Sequence, residues 1–406
     1  MDGSRRTFLK STALGFVALG LPPSFLVRAA GAQQSGRGKA LVVVFQRGGM
    51  DGLNLVVPFK DRAYYALRPS IAVAEPAAGE ERGLDLDGYF ALHPALAPIK
   101  TIYDKGQLAI VHAAGSPDNT RSHFDAQDYM ELGTPGIKST PDGWINRYLH
   151  EKPGGDSPFR GVAVGAQIPR MMAGRAPALS ISSIEEFRLH SPALAPALQK
   201  LYAASADPLL RRGGTSLFEA MARLRVVEGK IPPSTASYPA GRFGVGLKQI
   251  ARLIKADVGL EIAFTEIEGW DTHVAEGGAT GQLANRLREL GAGLAAFYQD
   301  LGDRMDDVVI VTMSEFGRTA RENGNRGTDH GHANVMFVLG GSVRGGKVYG
   351  RWPGLAPELL NDGRDLALTT DYRSVCGELL AHHMGEKALG GIFPGFRTAG
   401  ALGIVA

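Results

Sequence analysis

The segment TDHGHAN, residues 328–334, places three side chains that bind metal ions or move protons within four positions. They are Asp329, His330 and His332, in a chain that has only ten histidines among 406 residues. Aspartate and neutral histidine are ligands that suit zinc or manganese better than calcium or magnesium. Short histidine-rich stretches also occur in ordinary loops, so a metal or catalytic role requires partners from elsewhere in the chain.

Polar residues of the same kinds follow four apolar segments that are typical of buried strands. In chain order these residues are Asp51, then Ser122 and His123, then Asp271 and His273, then Ser314 and Glu315. In an open α/β sheet, ligands bind outside the carboxyl ends of parallel strands. If the strands are parallel, these groups share one edge of the sheet, and the TDHGHAN segment needs only a loop to reach it.

The elements that would position these residues alternate between strands and helices. KALVVVFQRGG, LEIAFTEIEGW and DDVVIVTMSEFG predict buried strands, whereas QLANRLRELGAGLAAFYQDL has leucines at helical spacing. This alternation predicts an α/β fold with a mostly parallel central sheet. Residues 38–406 are interpreted as one domain, in which residues 151–257 form an insertion of helices and loops.

Two sets of candidate site residues follow from this arrangement. The candidate catalytic residues are Ser122, His123 and Arg318, and the candidate metal ligands are Asp51, Asp271, His273, Glu315, Asp329, His330 and His332. Ser122 would be a nucleophile at the positive N-terminus of the helix SHFDAQDYMEL, and arginine side chains would hold a phosphate or sulfate. Structural roles are the alternative: Ser122 with Asp125 also matches a helix capping box, and Asp51 could shape a turn.

The N-terminus has the features of an export signal. SRRTFLK contains paired Arg5 and Arg6, an apolar run follows, and RAAGA supplies small residues for cleavage after Ala32. The twin arginines predict a Tat signal peptide over residues 1–32, with the Tat machinery as a partner and a periplasmic or secreted location. Pro22 and Pro23 interrupt the apolar run, which argues against a permanent membrane span after cleavage.

Composition excludes several classes of protein. The first 32 residues contain four basic residues and one acidic residue, which equals the formal charge of +3 for the whole chain. The mature chain is therefore near neutral, and no nucleic-acid surface is expected. The lone Cys376 excludes an internal disulfide framework, a cysteine-rich zinc module and an iron–sulfur site.

Several segments together resemble the exported DUF1501 family, whose fold is similar to that of the alkaline phosphatase and sulfatase superfamily. They are FQRGGMDGLNLVVP, NTRSHFDAQDYMELG, GWDTH and SEFGRTARENGNRGTDHGHANVMFVLGG. The resemblance implies an alkaline-phosphatase-like three-layer sandwich, with helices on both faces of the sheet. It also implies that Asp271 and His273 bind one metal ion, while Asp51 and Ser122 share a second. Ser314 and Glu315 depart from the pattern, because the superfamily has an Asp–His pair there.

The residues and the resemblance together predict an exported, metal-dependent, hydrolase-like protein that acts on phosphate or sulfate monoesters or diesters. Ser122 would attack the ester, and the divalent ion would be zinc or manganese, with the number of ions left open. The alternative is a non-catalytic envelope protein that keeps the fold and binds a glycan or a protein partner. A hydrolase requires the polar groups to converge on one site, whereas a binding protein can leave them scattered.

Overall fold

The computed structural model describes residues 38–77, 81–152, 155, 157–398 and 400–405. The predicted signal peptide, residues 1–32, lies outside the described residues. None of the helices in the described part of the chain has the length and apolar character that a membrane span requires.

Strands and helices alternate along most of the chain. The strands are β1 Ala40–Arg47, β2 Val56–Val57, β3 Leu84–Asp85, β4 Ala91–Leu92, β5 Leu108–Gly115, β6 Gly161–Val164, β7 Leu179–Ile181, β8 Ile262–Glu268, β9 Val308–Met313, β10 Asn334–Gly340, β11 Lys347–Tyr349 and β12 Thr370–Asp371. The helices are α1 Gly52–Leu55, α2 Arg62–Leu67, α3 Ala97–Asp104, α4 His123–Leu132, α5 Trp144–Glu151, α6 Ala195–Ala203, α7 Pro208–Val227, α8 Arg242–Lys255, α9 Gln282–Leu301, α10 Tyr372–Glu378 and α11 Leu389–Ile392.

The central sheet has the strand order β11-β5-β10-β9-β1-β8-β6-β7, and β12 pairs with β5. Every pairing in this sheet is parallel except the two that β10 makes with β5 and β9. The predicted α/β fold with a mostly parallel central sheet is therefore confirmed. Because β10 alone runs in the opposite direction, it begins at the edge where β1, β5, β8 and β9 end.

Helices cover both faces of this sheet. On one face, Val44 of β1 packs in a core with Leu247 of α8 and Leu290 of α9. On the other face, Phe45 packs in a second core with Trp144 of α5. Alternate residues of β1 are thus buried in opposite directions, which explains why the strand is a continuous apolar run with no polar face. The result is a three-layer arrangement.

The segment 151–257 also contributes to the sheet. It contains helices α6, α7 and α8, and its strands β6 and β7 extend the central sheet in parallel beyond β8. The predicted insertion of helices and loops did not include these two strands. They have four and three residues, which is too short for an apolar period to be recognised in the sequence.

Candidate metal centre

Four side chains from three separate segments of the chain converge at the carboxyl edge of the sheet. Asp271 Oδ1 lies 3.0 Å from His273 Nε2, 3.1 Å from His330 Nε2 and 3.5 Å from His123 Nε2. His273 Nε2 and His330 Nε2 are 3.0 Å apart. We call His123, Asp271, His273 and His330 the His–Asp cluster. In a tetrahedral zinc site with bonds of about 2.0–2.1 Å, neighbouring ligand atoms are about 3.3 Å apart, so these separations match the edges of such a site.

The outer nitrogen of each histidine ring is held by an oxygen acceptor. The contacts are His123 Nδ1 with Glu315 Oε1 at 2.8 Å, His273 Nδ1 with Asp329 Oδ1 at 3.1 Å, and His330 Nδ1 with the Arg121 carbonyl at 2.7 Å. Because ionised carboxylates and carbonyls only accept, each Nδ1 donates a proton to its acceptor, and a ring in this tautomer, when neutral, directs its Nε2 lone pair towards the cluster. Histidines that bind metals in proteins are oriented in this way.

The environment of His123 Nε2 is a second observation that fits metal binding at the cluster. This atom is buried and has no hydrogen-bond partner among the described residues. A buried polar atom without a partner costs free energy, and a metal ion between the rings would satisfy it. His123, Asp271 and His330 can each offer one ligand atom, and these three atoms lie within 4.8 Å of one another. His273 Nε2 adjoins this group, at 3.0 Å from both Asp271 Oδ1 and His330 Nε2. The donor set therefore fits one divalent ion.

The ionisation states of the cluster agree with metal binding. Burial opposes the charge on Asp271, but the hydrogen bond from Arg318 prevails and lowers the pKa of Asp271 to about 2. Burial lowers the pKa of His330, which keeps that ring neutral. The hydrogen bond to Glu315 raises the pKa of His123, so a metal ion competes with a proton for this ring.

Glu315 lies behind His123 and not among the ligand atoms. Its side chain is fully buried, and Oε1 accepts hydrogen bonds from the Gly48 N–H at 2.9 Å, from His123 and from Gln127 Nε2 at 2.9 Å. Asp329 has the corresponding position behind His273. The sequence indicated both carboxylates as metal ligands, whereas the structure places them as acceptors that orient the rings.

A glycine turn allows β1 to end close to the cluster. Gly48 has φ 122°, and a Cβ on it would lie 2.9 Å from the backbone nitrogen of Asp271. Gly49 has φ 64°, and its Cβ would lie 2.5 Å from the ring of Phe316. Larger residues would therefore push the turn away and separate the Gly48 N–H from Glu315. This explains the two glycines in QRGG.

Phe316 packs against the imidazole rings of His123 and His330. Its ring centroid lies 4.8 Å from that of His123 and 4.9 Å from that of His330. Phe316 is itself buried, so the two imidazoles are fixed by packing as well as by hydrogen bonds. The sequence analysis did not identify this residue, because an apolar side chain next to a strand gives no signal that separates it from the core.

Asp51 is not part of the cluster. Its fully buried carboxylate forms an ion pair with Arg68, with Oδ2 at 2.5 Å from Nη1 and Oδ1 at 2.9 Å from Nη2. Burial and the charge of Asp51 raise the pKa of the neighbouring Glu276 well above its usual value. The second metal site implied for Asp51 and Ser122 is therefore not assembled in this structure, and Glu276 is a buried acid that the sequence analysis missed.

Arg318 is a buried positioning residue. Its guanidinium donates to the carbonyls of Gly48, Gly49 and Trp270 and, at 2.6 Å, to Asp271 Oδ1. With its side chain fully buried, it holds the Asp271 carboxylate in place and ties the end of β1 to the loop after β8. The sequence indicated a group that contacts substrate, and the structure gives it this supporting place.

Two other predicted residues have separate contacts. Ser122 precedes α4 as its N-cap, and its Oγ accepts a hydrogen bond from the Asp125 N–H at 3.4 Å. His332 points away from the cluster and its Nε2 lies 2.9 Å from the Ser116 carbonyl. The structure thus separates the two histidines of TDHGHAN, because only His330 reaches Asp271.

Residues 219–387 match the model of a family described as "Protein of unknown function (DUF1501)". The predicted resemblance to this family is confirmed over those residues, which include three of the four members of the His–Asp cluster. No curated protein matches the sequence.

Solved structures are similar to this chain, with 28 matching chains. The C-terminal periplasmic domain of EcEptC from Escherichia coli, in complex with Zn, is 9% identical, with 76% of this chain and 74% of that chain covered and a TM-score of 0.35. The lipoteichoic acid synthase LtaP from Listeria monocytogenes is 10% identical, with 75% of this chain and 65% of that chain covered and a TM-score of 0.33. The PsFucS1 sulfatase from Pseudoalteromonas sp. is 13% identical, with 81% of this chain and 68% of that chain covered and a TM-score of 0.34. Because these identities and TM-scores are low, the interpretation of the site rests on the sheet topology and the His–Asp cluster of this chain.

Proposed function

We propose that this chain, which matches the DUF1501 family over residues 219–387, is an exported metal-dependent hydrolase that acts on phosphate or sulfate esters. The observation that carries the proposal is the convergence of three imidazole Nε2 atoms on Asp271 Oδ1, each ring being held from behind. A non-catalytic binding protein would not require this convergence. The donor set supports one ion, and its nitrogen and oxygen atoms favour zinc or manganese.

The cluster leaves one side open for a substrate. The side chains of Asp271 and His273 are 45% and 39% exposed, whereas the side of the cluster at His123 is closed by Phe316 and Glu315. A bound divalent ion would supply a Lewis acid that polarises an ester oxygen and offsets the charge that develops there. The residues themselves fix the geometry, since Arg318, Glu315 and Asp329 restrict the movement of three members of the cluster.

Ser122 is the proposed nucleophile because it directly precedes His123 at the N-terminus of α4. Replacing Ser122 by alanine or asparagine is expected to reduce hydrolysis of 4-nitrophenyl phosphate or sulfate by roughly a thousandfold or more. Zinc content should remain normal, since Ser122 is not in the cluster. Steady-state kinetics together with metal analysis of each variant check this prediction.

The two replacements also separate the nucleophile from the helix cap. Asparagine caps helices about as well as serine, whereas alanine costs about 1 kcal/mol. Only Ser122→Ala should therefore lower the free energy of unfolding, while both variants lose activity. Full turnover by Ser122→Asn would show that Ser122 is a cap alone and that water attacks the ester.

Export is proposed from the sequence of the leader. Replacing Arg5 and Arg6 by lysine is expected to keep the protein in the cytoplasm, because the Tat machinery recognises the arginine pair and not only its charge. Fractionation of cells into periplasm and cytoplasm measures the outcome. Arg28→Lys, a change of the same kind elsewhere in the leader, is the matched control and should be exported normally. Equal periplasmic accumulation of both variants contradicts the Tat proposal.

A further inference from the structure

A cavity of about 330 Å³ lies next to the His–Asp cluster. Asp329 lines this cavity and also holds the His273 ring. Arg364 lines it as well, and its Nη2 donates to the His330 carbonyl at 2.7 Å. The cavity is therefore adjacent to two members of the cluster, and its volume is within the range of small-molecule sites.

The acidic groups of the cavity are already satisfied. Glu322 accepts hydrogen bonds from the N–H and Oγ of Ser70 and from the Ile71 N–H at 2.8–3.1 Å. Asp329 Oδ1 accepts from His273 and, at 3.1 Å, from Asn323 Nδ2. Both carboxylates therefore accept hydrogen bonds from protein donors.

Arg321 is the donor in the cavity that remains available. Its guanidinium is exposed and makes no hydrogen bond or ion pair with the residues that the structure describes, whereas Arg364 Nε is engaged by Asp365 Oδ1 at 3.1 Å. Guanidinium groups bind carboxylates, phosphates and sulfates through pairs of N–H donors. Arg321 therefore gives the cavity the capacity to bind an anion.

Part of the cavity wall is apolar. Leu67, Pro357 and Leu360 contribute this part, which fits a spacer with little polarity. We propose that this cavity is a specificity subsite for a second anionic group of the substrate, which Arg321 binds and an apolar spacer connects to the reacting ester. This inference deepens the proposed hydrolase function and rests on it.

Phosphonates test the subsite without any requirement for turnover. We would compare phenylphosphonate, 4-carboxyphenylphosphonate and 4′-carboxybiphenyl-4-phosphonate by isothermal titration calorimetry on the zinc-loaded protein. At least one carboxylated probe is expected to bind about tenfold or more tightly than phenylphosphonate, because it adds a charge-assisted hydrogen bond to Arg321. Biphenyl-4-carboxylate, which lacks the phosphonate, measures binding to the cavity alone.

Two arginine variants locate the effect. Arg321→Gln should remove the advantage of the carboxylated probes and leave the affinity for phenylphosphonate and the zinc content unchanged. Arg326→Gln, at an exposed arginine in the same loop that does not line the cavity, should retain the advantage. Equal affinities for all probes in the wild-type protein, or the same advantage in Arg321→Gln, would overturn the subsite.

Turnover distinguishes this inference from the proposed function. If the wild-type protein shows Arg321-dependent binding of carboxylated probes but hydrolyses neither phosphate nor sulfate esters, the subsite stands and the hydrolase proposal fails. If it hydrolyses 4-nitrophenyl phosphate but binds all phosphonates equally, the hydrolase proposal stands and the subsite is rejected.

Discussion

Replacing His330 by asparagine abolishes zinc-dependent stabilisation of the protein, whereas the same change at His332 leaves it intact. This is the expected result because His330 Nε2 lies 3.1 Å from Asp271 Oδ1, while His332 Nε2 is bonded to the Ser116 carbonyl. A ligand that binds only the folded state adds RT ln(1 + [L]/Kd) to stability, or about 2.7 kcal/mol at a concentration of about 100 times Kd. Thermal unfolding with and without zinc measures this difference for each variant.

The two histidines form a matched pair, since they are two positions apart in TDHGHAN and both contact a backbone carbonyl. His332→Asn can lower the melting temperature of the metal-free protein, because its ring is buried, but the increase caused by zinc should persist. His330→Asn should also lose hydrolysis of 4-nitrophenyl phosphate. A wild-type protein whose melting temperature does not respond to zinc or manganese would refute the metal centre.

Removing the positive charge of Arg68 is expected to cause a large loss of stability, because its side chain and that of Asp51 are both fully buried. Arg68→Met leaves the Asp51 carboxylate buried without its partner, beside Glu276. Removing one member of a buried ion pair costs about 3–5 kcal/mol, because the remaining charge is not compensated. Urea unfolding of the metal-free protein measures the loss. Arg62→Met, at an exposed position of the same helix α2, should change the free energy of unfolding by less than about 0.5 kcal/mol.

A double variant separates a structural role of Asp51 from a role in metal binding. Asp51→Leu in combination with Arg68→Met removes both charges and should recover part of the stability that Arg68→Met alone loses. Zinc content should be normal in all folded variants, since the carboxylate of Asp51 is bound to Arg68. Loss of zinc from a folded Asp51 variant would contradict this assignment and restore Asp51 as a ligand.

The sheet could be predicted from the sequence because its central strands are buried on both faces. Val44 and Phe45 pack in opposite directions, so β1 appears as an unbroken apolar run that no exposed strand would have. The shared edge was also predictable, since polar residues follow each such run. The direction of β10 was not, because an apolar run is the same in a parallel and an antiparallel strand.

The types of the site residues could be predicted better than their positions in the His–Asp cluster. Glu315 and Asp329 have the chemistry of ligands, but a carboxylate behind a histidine has the same sequence signal as one in front of it. Asp51 was interpreted as a metal ligand because it follows a strand. Its partner in the structure, Arg68, is 17 residues further along the chain, a spacing that no local sequence pattern reveals. Contacts of this kind depend on the path of the chain and not on neighbouring residues.

The His–Asp cluster is assembled from parts of the chain that are far apart. His123 contacts Glu315 across 192 positions, and Asp271 contacts His330 across 59. Bringing such distant segments together costs chain entropy that is recovered only when the sheet between them has formed. Before the sheet has formed, Asp271 and His273 are the only two members of the cluster that are close together in the sequence. A metal ion would therefore bind tightly to the cluster only after the chain has folded. The identity of the bound ion would then depend on which metal ions are available in the compartment where the chain folds.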